Sequence, residues 1–338
     1  MPLYPSLTQI ARLSAMGMFS GPQASASSAQ AIVSRLRRGQ EWASGRLPSL
    51  ITRFADFSSS DVQGSVHVDL PIIERRSAMI QWADFADEWG VRARSLPSAA
   101  TLCTALGVLA KHSLSVSGPS GAAVYLVAPN VLEAGVRAKF DLGDWAKWVS
   151  LRAGVDTWLS MRTPFYREYC RELVTAAPID AIDAEELARQ LLLRECIIDV
   201  FMDSLTPKDL SSVNWITAHR PADFMVDGAL ISLLGGVAPA GITQLRREMA
   251  NEVHQILTGP GLESILNNRM WPSFQSSPFP LIPREIYVHS RWKCARTFSG
   301  PCSTVMRFLL PYPVAQTQLR SRRSSLITAC ARGLLHTP

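Results

Sequence analysis

Six basic residues near the C-terminus, Arg291, Lys293, Arg296, Arg320, Arg322 and Arg323, are the side chains whose type and spacing point most directly to a chemistry. They interleave with Trp292, Phe298 and Phe308. Cations hold a phosphate backbone while aromatic rings stack on bases, so the pattern suits RNA or another single-stranded nucleic acid. The alternative is an unstructured tail without a partner.

Elsewhere the reactive residue types fall where structure explains them. Asp183, Glu185 and Glu186 form the densest carboxylate cluster, at a predicted helix start, where negative charge complements the helix dipole. His219 beside Arg220 has the makings of a phosphate contact, but a histidine before Pro221 also reads as a helix stop. Cys294 and Cys302 with His289 have the wrong spacing for zinc. The chain contains no Gly-x-Ser-x-Gly, His-Glu-x-x-His, Cys-x-x-Cys or Gly-x-Gly-x-x-Gly pattern. Gly118-Pro119-Ser120-Gly121 is a turn signal and lacks the lysine of a phosphate loop. The sequence therefore predicts no enzyme, no cofactor and no metal.

Charge is divided unevenly along the 338 residues. Residues 1–53 hold six arginines against Glu41, and residues 284–338 hold nine basic groups against Glu285, which leaves a net −7 for residues 54–283 out of a total of +6. An acidic middle between basic ends attracts phosphate or acidic membrane surfaces through a salt-screened field; solvated tails are the plainer account. Hydrophobic residues make up 47% and charged residues 18%, enough apolar content for the middle to fold. The six cysteines form no framework, which fits a reducing compartment. The longest apolar run, Ala99 to Ala110, is shorter than the about 18 residues of a membrane span, so no span is expected. Location is expected to be intracellular, in cytoplasm or nucleus. The acid-free stretch up to Gln40, with SASSAQAIVSRLRR, offers mitochondrial targeting as an alternative.

The elements that would position these groups follow from periodicity. Residues 1–60 read as a disordered basic arm, and Val62–Leu70 alternates as a strand ended by Pro71. Met79, Trp82, Phe85, Ala86 and Trp89 make one helical stripe stopped by Gly90; a buried helix follows over Ser98–Ala110, then a Val124–Val127 strand. Trp145, Trp148 and Leu151 mark a helix over Asp141–Ala153. Thr163-Pro164 opens a helix with Thr163 as cap, and Pro178 stops it. Asp183 restarts the chain with Glu186 in a capping box, and Leu193, Ile197, Val200, Phe201 and Leu205 make that helix central. Thr206-Pro207 opens another with Leu210, Val213 and Ile216 inward. The last of the set ends at Gly235-Gly236. A further helix lies within Pro239–Asn268. The fold class is mainly α: a helical bundle core with one or two short strands and disordered basic termini.

Tyr166-Arg167, Arg171 and Leu173, then Leu191-Leu192-Leu193-Arg194-Glu195, then Leu205-Thr206-Pro207-Lys208-Asp209-Leu210 and His219-Arg220-Pro221-Ala222-Asp223, form an ordered pattern. Over residues 163–235 it resembles the C-terminal capsid domain of retroelement Gag proteins and its domesticated relative, the SCAN domain. The resemblance implies a non-enzymatic module that self-associates, commonly as a dimer. A two-fold interface would then use Phe201, Met202 and Trp215, unless these three are core. The zinc knuckle that often follows a Gag capsid is missing. The division expected is a basic arm (1–60), a mainly helical N-terminal domain (61–155), the Gag capsid/SCAN-like bundle (156–236), an additional helix and linker (237–283) and a basic arm (284–338). The functional expectation is a structural, self-associating capsid-like protein, Gag-derived or of viral nucleocapsid type, that gathers nucleic acid through its arms. A SCAN-like adaptor, or a mitochondrial enzyme of another family, are the alternatives.

Overall fold

In a computed structural model of the chain, residues 6–17, 25–54, 68–92, 96–117, 124–220, 224–237 and 241–258 are described. They form eleven helices and one three-stranded sheet: α1 (Leu7–Met16), α2 (Ala26–Ile51), β1 (Ile72–Ile73), α3 (Arg75–Glu88), α4 (Leu96–His112), β2 (Ser115–Ser117), β3 (Val124–Val127), α5 (Ala128–Arg137), α6 (Leu142–Arg162), α7 (Pro164–Ala176), α8 (Ala181–Asp203), α9 (Val213–His219), α10 (Phe224–Leu233) and α11 (Ile242–Thr258). The protein is mainly helical, as its periodicity predicts.

The first core is built on the tryptophan stripe of α3. Ala78, Met79, Trp82 and Phe85 are buried against Leu102, Leu106 and Leu109 of α4, Val116 and Val127 of the sheet, and Ala229 and Leu233 of α10. Leu7, Ala11 and Ala15 of α1 close this core from the other side. Gly90, at φ +78°, takes the left-handed conformation that ends α3's last turn. In the sheet, β3 lies between β1, which it meets in parallel, and β2, which it meets antiparallel. Each parallel strand runs almost directly into a helix, β1 into α3 and β3 into α5.

The second core is the contact of α2 with α6. Ile32, Leu36, Leu47 and Leu50 from α2 meet a tryptophan-rich helix in which Trp145 stacks on Trp148, centroids 5.2 Å apart. A Cβ built on Gly39 would lie 2.7 Å from the Ala146 carbonyl oxygen, so the two backbones approach more closely than any larger residue allows. The helices must separate to accept a methyl group. Gly39→Ala is therefore expected to destabilise the protein by about 1–3 kcal/mol despite alanine's better helix propensity; the shift in urea unfolding midpoint measures it. α8 is central as expected: Leu187, Leu192, Leu193, Ile197, Ile198, Phe201 and Met202 are all fully buried, with α7 on one side and α11 on another.

Several expectations are corrected. The disordered arm over residues 1–60 contains two helices instead. Arginine spacing hides the apolar faces of α1 and α2, and partners far along the chain hold both helices. Asp87 of α3 accepts from the Leu7 and Thr8 amides at 3.2 and 3.0 Å, a carboxylate at the positive end of α1. Arg46 and Arg53 of the α2 end both reach Asp209, the latter at 2.9 Å. For the predicted Val62–Leu70 strand, residues 62–67 lie outside the described residues, and Val68–Leu70 belongs to no strand. There the Gln40 side chain bonds both the carbonyl and the amide of Leu70 at 2.9 Å, and Ser44 accepts from the Val68 amide at 2.9 Å. The partner of these three residues is a helix. The sheet begins only after Pro71, whose carbonyl accepts from the Leu126 amide at 2.9 Å.

The boundary between 155 and 156 falls inside α6, and α10 packs on α4, so residues 61–155 and 156–236 do not part there. Asp180, rather than Asp183, caps α8, accepting from the Ile182 amide at 2.8 Å. The Thr163 hydroxyl donates to the Leu159 carbonyl of the preceding helix at 2.7 Å and caps nothing. Thr206-Pro207 makes a turn, not a helix entry: Asp209 accepts from the Thr206 amide at 2.8 Å and the helix starts only at Val213.

Candidate interaction surface

α9 is short, and its inward residues Val213 and Ile216 anchor it to the body. That leaves Trp215 on the outer side, 48% exposed, the most exposed of the described tryptophans. Its Nε1 donates to the Ala138 carbonyl at 3.3 Å, and its ring stacks on His219 with centroids 3.6 Å apart. Two residues before Ala138, Val136 is also exposed. The indole is thus held through its N–H and one ring face while the rest of it stays exposed.

The other two residues expected at an interface are elsewhere. Phe201 and Met202 are fully buried, and the Phe201 ring sits edge-on to Phe54 and Trp158 at 4.8 and 6.2 Å. Residues on a helix that is apolar around most of its circumference are enclosed by neighbours from the whole chain, here including the segment after α2. Arg291, Lys293, Arg296, Arg320, Arg322 and Arg323 lie outside the described residues, as do Cys294, Cys302 and His289. Arg220 is engaged structurally: it pairs with Asp199 and Asp203 at 3.3 and 3.4 Å and lies over the Trp148 ring.

No family model, curated protein or solved structure matches the chain.

Inside the body, charged side chains lock helices together. Arg194 of α8 donates to the Asp156 carboxylate and the Ser160 hydroxyl of α6. Burial alone would lower the Arg194 pKa, and Asp156 reverses this and raises it. Arg246 of α11 bridges Asp199 at 2.6 Å and Asp227 of α10. Burial works to raise the Asp199 carboxyl, but Arg246 and Arg220 bring it below the usual carboxylate range. The carboxylate cluster is divided between roles: Asp183 is buried in the first turn of α8, while Glu186 accepts from Gln190 at 2.7 Å and from the Tyr169 hydroxyl of α7 at 3.3 Å. Burial raises the Glu186 carboxyl and pushes the Cys170 thiol up to about 12, so that thiol is inert at neutral pH. Among the described residues, no group of three or more His, Cys, Asp or Glu side chains could hold a metal ion, and no helix is long and apolar enough to cross a membrane.

A second surface feature was not visible in the sequence. The Asn130 side chain of α5 donates to the carbonyls of Ala110 and Ser113 at 3.0 and 2.7 Å, pinning the end of α4 to α5, and accepts from Arg75 Nε at 2.6 Å. One turn on, Glu133 accepts from Arg75 on one oxygen and from Arg137 on the other at 2.9 Å. Lys111 and His112 lie between the two pinned carbonyls. Against the effect of burial, Arg75, with Arg137 and Lys111, holds the Glu133 carboxyl below its usual range. Only the fold unites them. The one local signal was the Glu133–Arg137 pair at helical spacing after a strand.

Proposed function

We propose that this is a structural, self-associating protein of the capsid-like kind that gathers single-stranded nucleic acid through its basic C-terminal segment. The observation that carries the association is Trp215: a large aromatic side chain exposed on a short, well-anchored helix. Aromatic anchors of this kind dominate interface energies. A two-fold arrangement would place the Trp215 surface of one copy against that of the next. The nucleic-acid part rests on Arg291, Lys293, Arg296, Arg320, Arg322 and Arg323 with their interleaved aromatics.

Both parts are tested on the full chain. Trp215→Ala is expected to shift the molar mass by light scattering from oligomer to monomer at micromolar concentration. A wild-type chain that is monomeric throughout, or a Trp215→Ala variant of unchanged mass, would overturn the association. Replacing the six basic residues with alanine is expected to flatten the salt dependence of oligonucleotide binding by about 4 in the log–log slope, at about 0.7 per phosphate contact. An unchanged slope would remove the segment's role.

A further inference from the structure

We propose that the folded body carries a nucleic-acid contact of its own, in which Lys111 and Arg137, set around Glu133 with Arg75 and His112, hold phosphates of a single strand. The proposal rests on the nucleic-acid part of the reading above and adds a site in another part of the chain.

Three permanent cations face one carboxylate here. Both oxygens of Glu133 are taken, by Arg75 and by Arg137. Lys111 and the outer part of Arg137 are exposed to solvent. Besides burial, the groups that bear most on His112 are Lys111, Arg137, Glu133 and Arg75, three of them cationic, and the imidazole pKa is lowered accordingly. This positive spot stands on a segment, residues 54–283, whose net charge is −7. Each cation taken alone has a structural account: Lys111 and His112 complement the end of α4, and Arg137 the end of α5. That account does not require the end of α4 to lie against α5. Asn130, in the first turn of α5, fixes it there by bonding the carbonyls on either side of Lys111 and His112 while accepting from Arg75, and Glu133 follows one turn later.

The site suits phosphates of a nucleic acid better than a bilayer. A helix that docks on lipid lays an apolar face into it. α4 and α5 have theirs enclosed, with Leu102, Leu106 and Leu109 on one and Val131, Leu132 and Ala134 on the other buried in the protein. Lys111 and Arg137 remain outside, together with one large apolar side chain, Val136. A flexible single strand can follow spaced cations that a flat membrane meets only in part.

The experiment measures anisotropy of a labelled 20-nucleotide polyuridine against salt with the full chain. Lys111→Ala/Arg137→Ala is expected to lower the log–log slope by about 1.4 and affinity at 0.1 M salt by about 25-fold, at about 0.7 per phosphate contact. Glu133→Gln keeps the acceptor for Arg75 and removes the one negative charge, so it is expected to tighten binding. Both variants leave buried side chains in place, and matching thermal melts confirm the fold. If the wild-type chain binds and both variants bind as it does, this site is overturned while the C-terminal segment keeps its role. If the wild-type chain does not bind, the nucleic-acid reading falls as a whole. Loss of binding to phosphatidylserine vesicles with polyuridine binding unchanged would assign the cluster to membranes and overturn the proposal.

Discussion

Arg194→Ala is expected to destabilise the protein by about 3–5 kcal/mol, the cost of leaving a partner charge buried and unpaired. The guanidinium is almost wholly enclosed and donates to Asp156, itself 2% exposed, and to Ser160. With Arg194 gone, the Asp156 carboxylate is left in a low-dielectric interior without its partner. Replacing the pair together, Arg194→Leu with Asp156→Leu, should recover most of the loss. The neighbouring hydroxyls keep partners without the pair: Ser160 donates to the Asp156 carbonyl at 2.8 Å, and Tyr166 to the Gln190 carbonyl at 3.0 Å. Urea unfolding of the two singles and the double closes the cycle. A single Arg194→Ala loss under about 1 kcal/mol would mean that water reaches the pair.

This pair also shows where the sequence stops being informative. Helix positions came from local signals. The stripe Met79–Trp82–Phe85–Ala86, the Pro164 entry, the Asp141 region and the wide apolar face of α8 each declare a helix within their own residues, and the structure has helices there. What joins the helices is not local. Arg194 sits 38 residues from Asp156, and Thr8 sits 79 from Asp87. A buried arginine within Leu-Leu-Leu-Arg-Glu reads from sequence as a surface charge at a helix edge.

The same limit explains α2. Its composition is that of a basic tail, yet one face carries Ile32, Leu36, Ala43, Leu47 and Leu50, and that face has value only because α6 supplies a tryptophan surface more than a hundred residues later. Of the surface features, Trp215 entered the sequence reading only as one of three residues implied by the Gag/SCAN resemblance, and the other two, Phe201 and Met202, are core. The cluster around Glu133 was not legible, because three segments contribute to it and none stands out alone.

Phe201→Ala and Trp215→Ala separate core from surface in the region that the Gag/SCAN resemblance covers. Phe201 is fully enclosed, its ring edge-on to Phe54 and Trp158, so truncation leaves a cavity between the end of α2, α6 and α8 and is expected to cost about 3–5 kcal/mol. Phe201→Leu retains most of the volume and should recover more than half of that. Trp215→Ala removes a half-exposed ring and one hydrogen bond to Ala138, with an expected loss within about 1 kcal/mol. The two variants should therefore exchange their effects between two measurements. Phe201→Ala lowers the melting temperature and, at temperatures where it remains folded, associates as the wild type does. Trp215→Ala melts near the wild type and loses association. If Phe201→Ala instead abolished association while still folded, and Trp215→Ala did not, the interface would lie on α8 and its burial within one chain would have to open for two copies to meet.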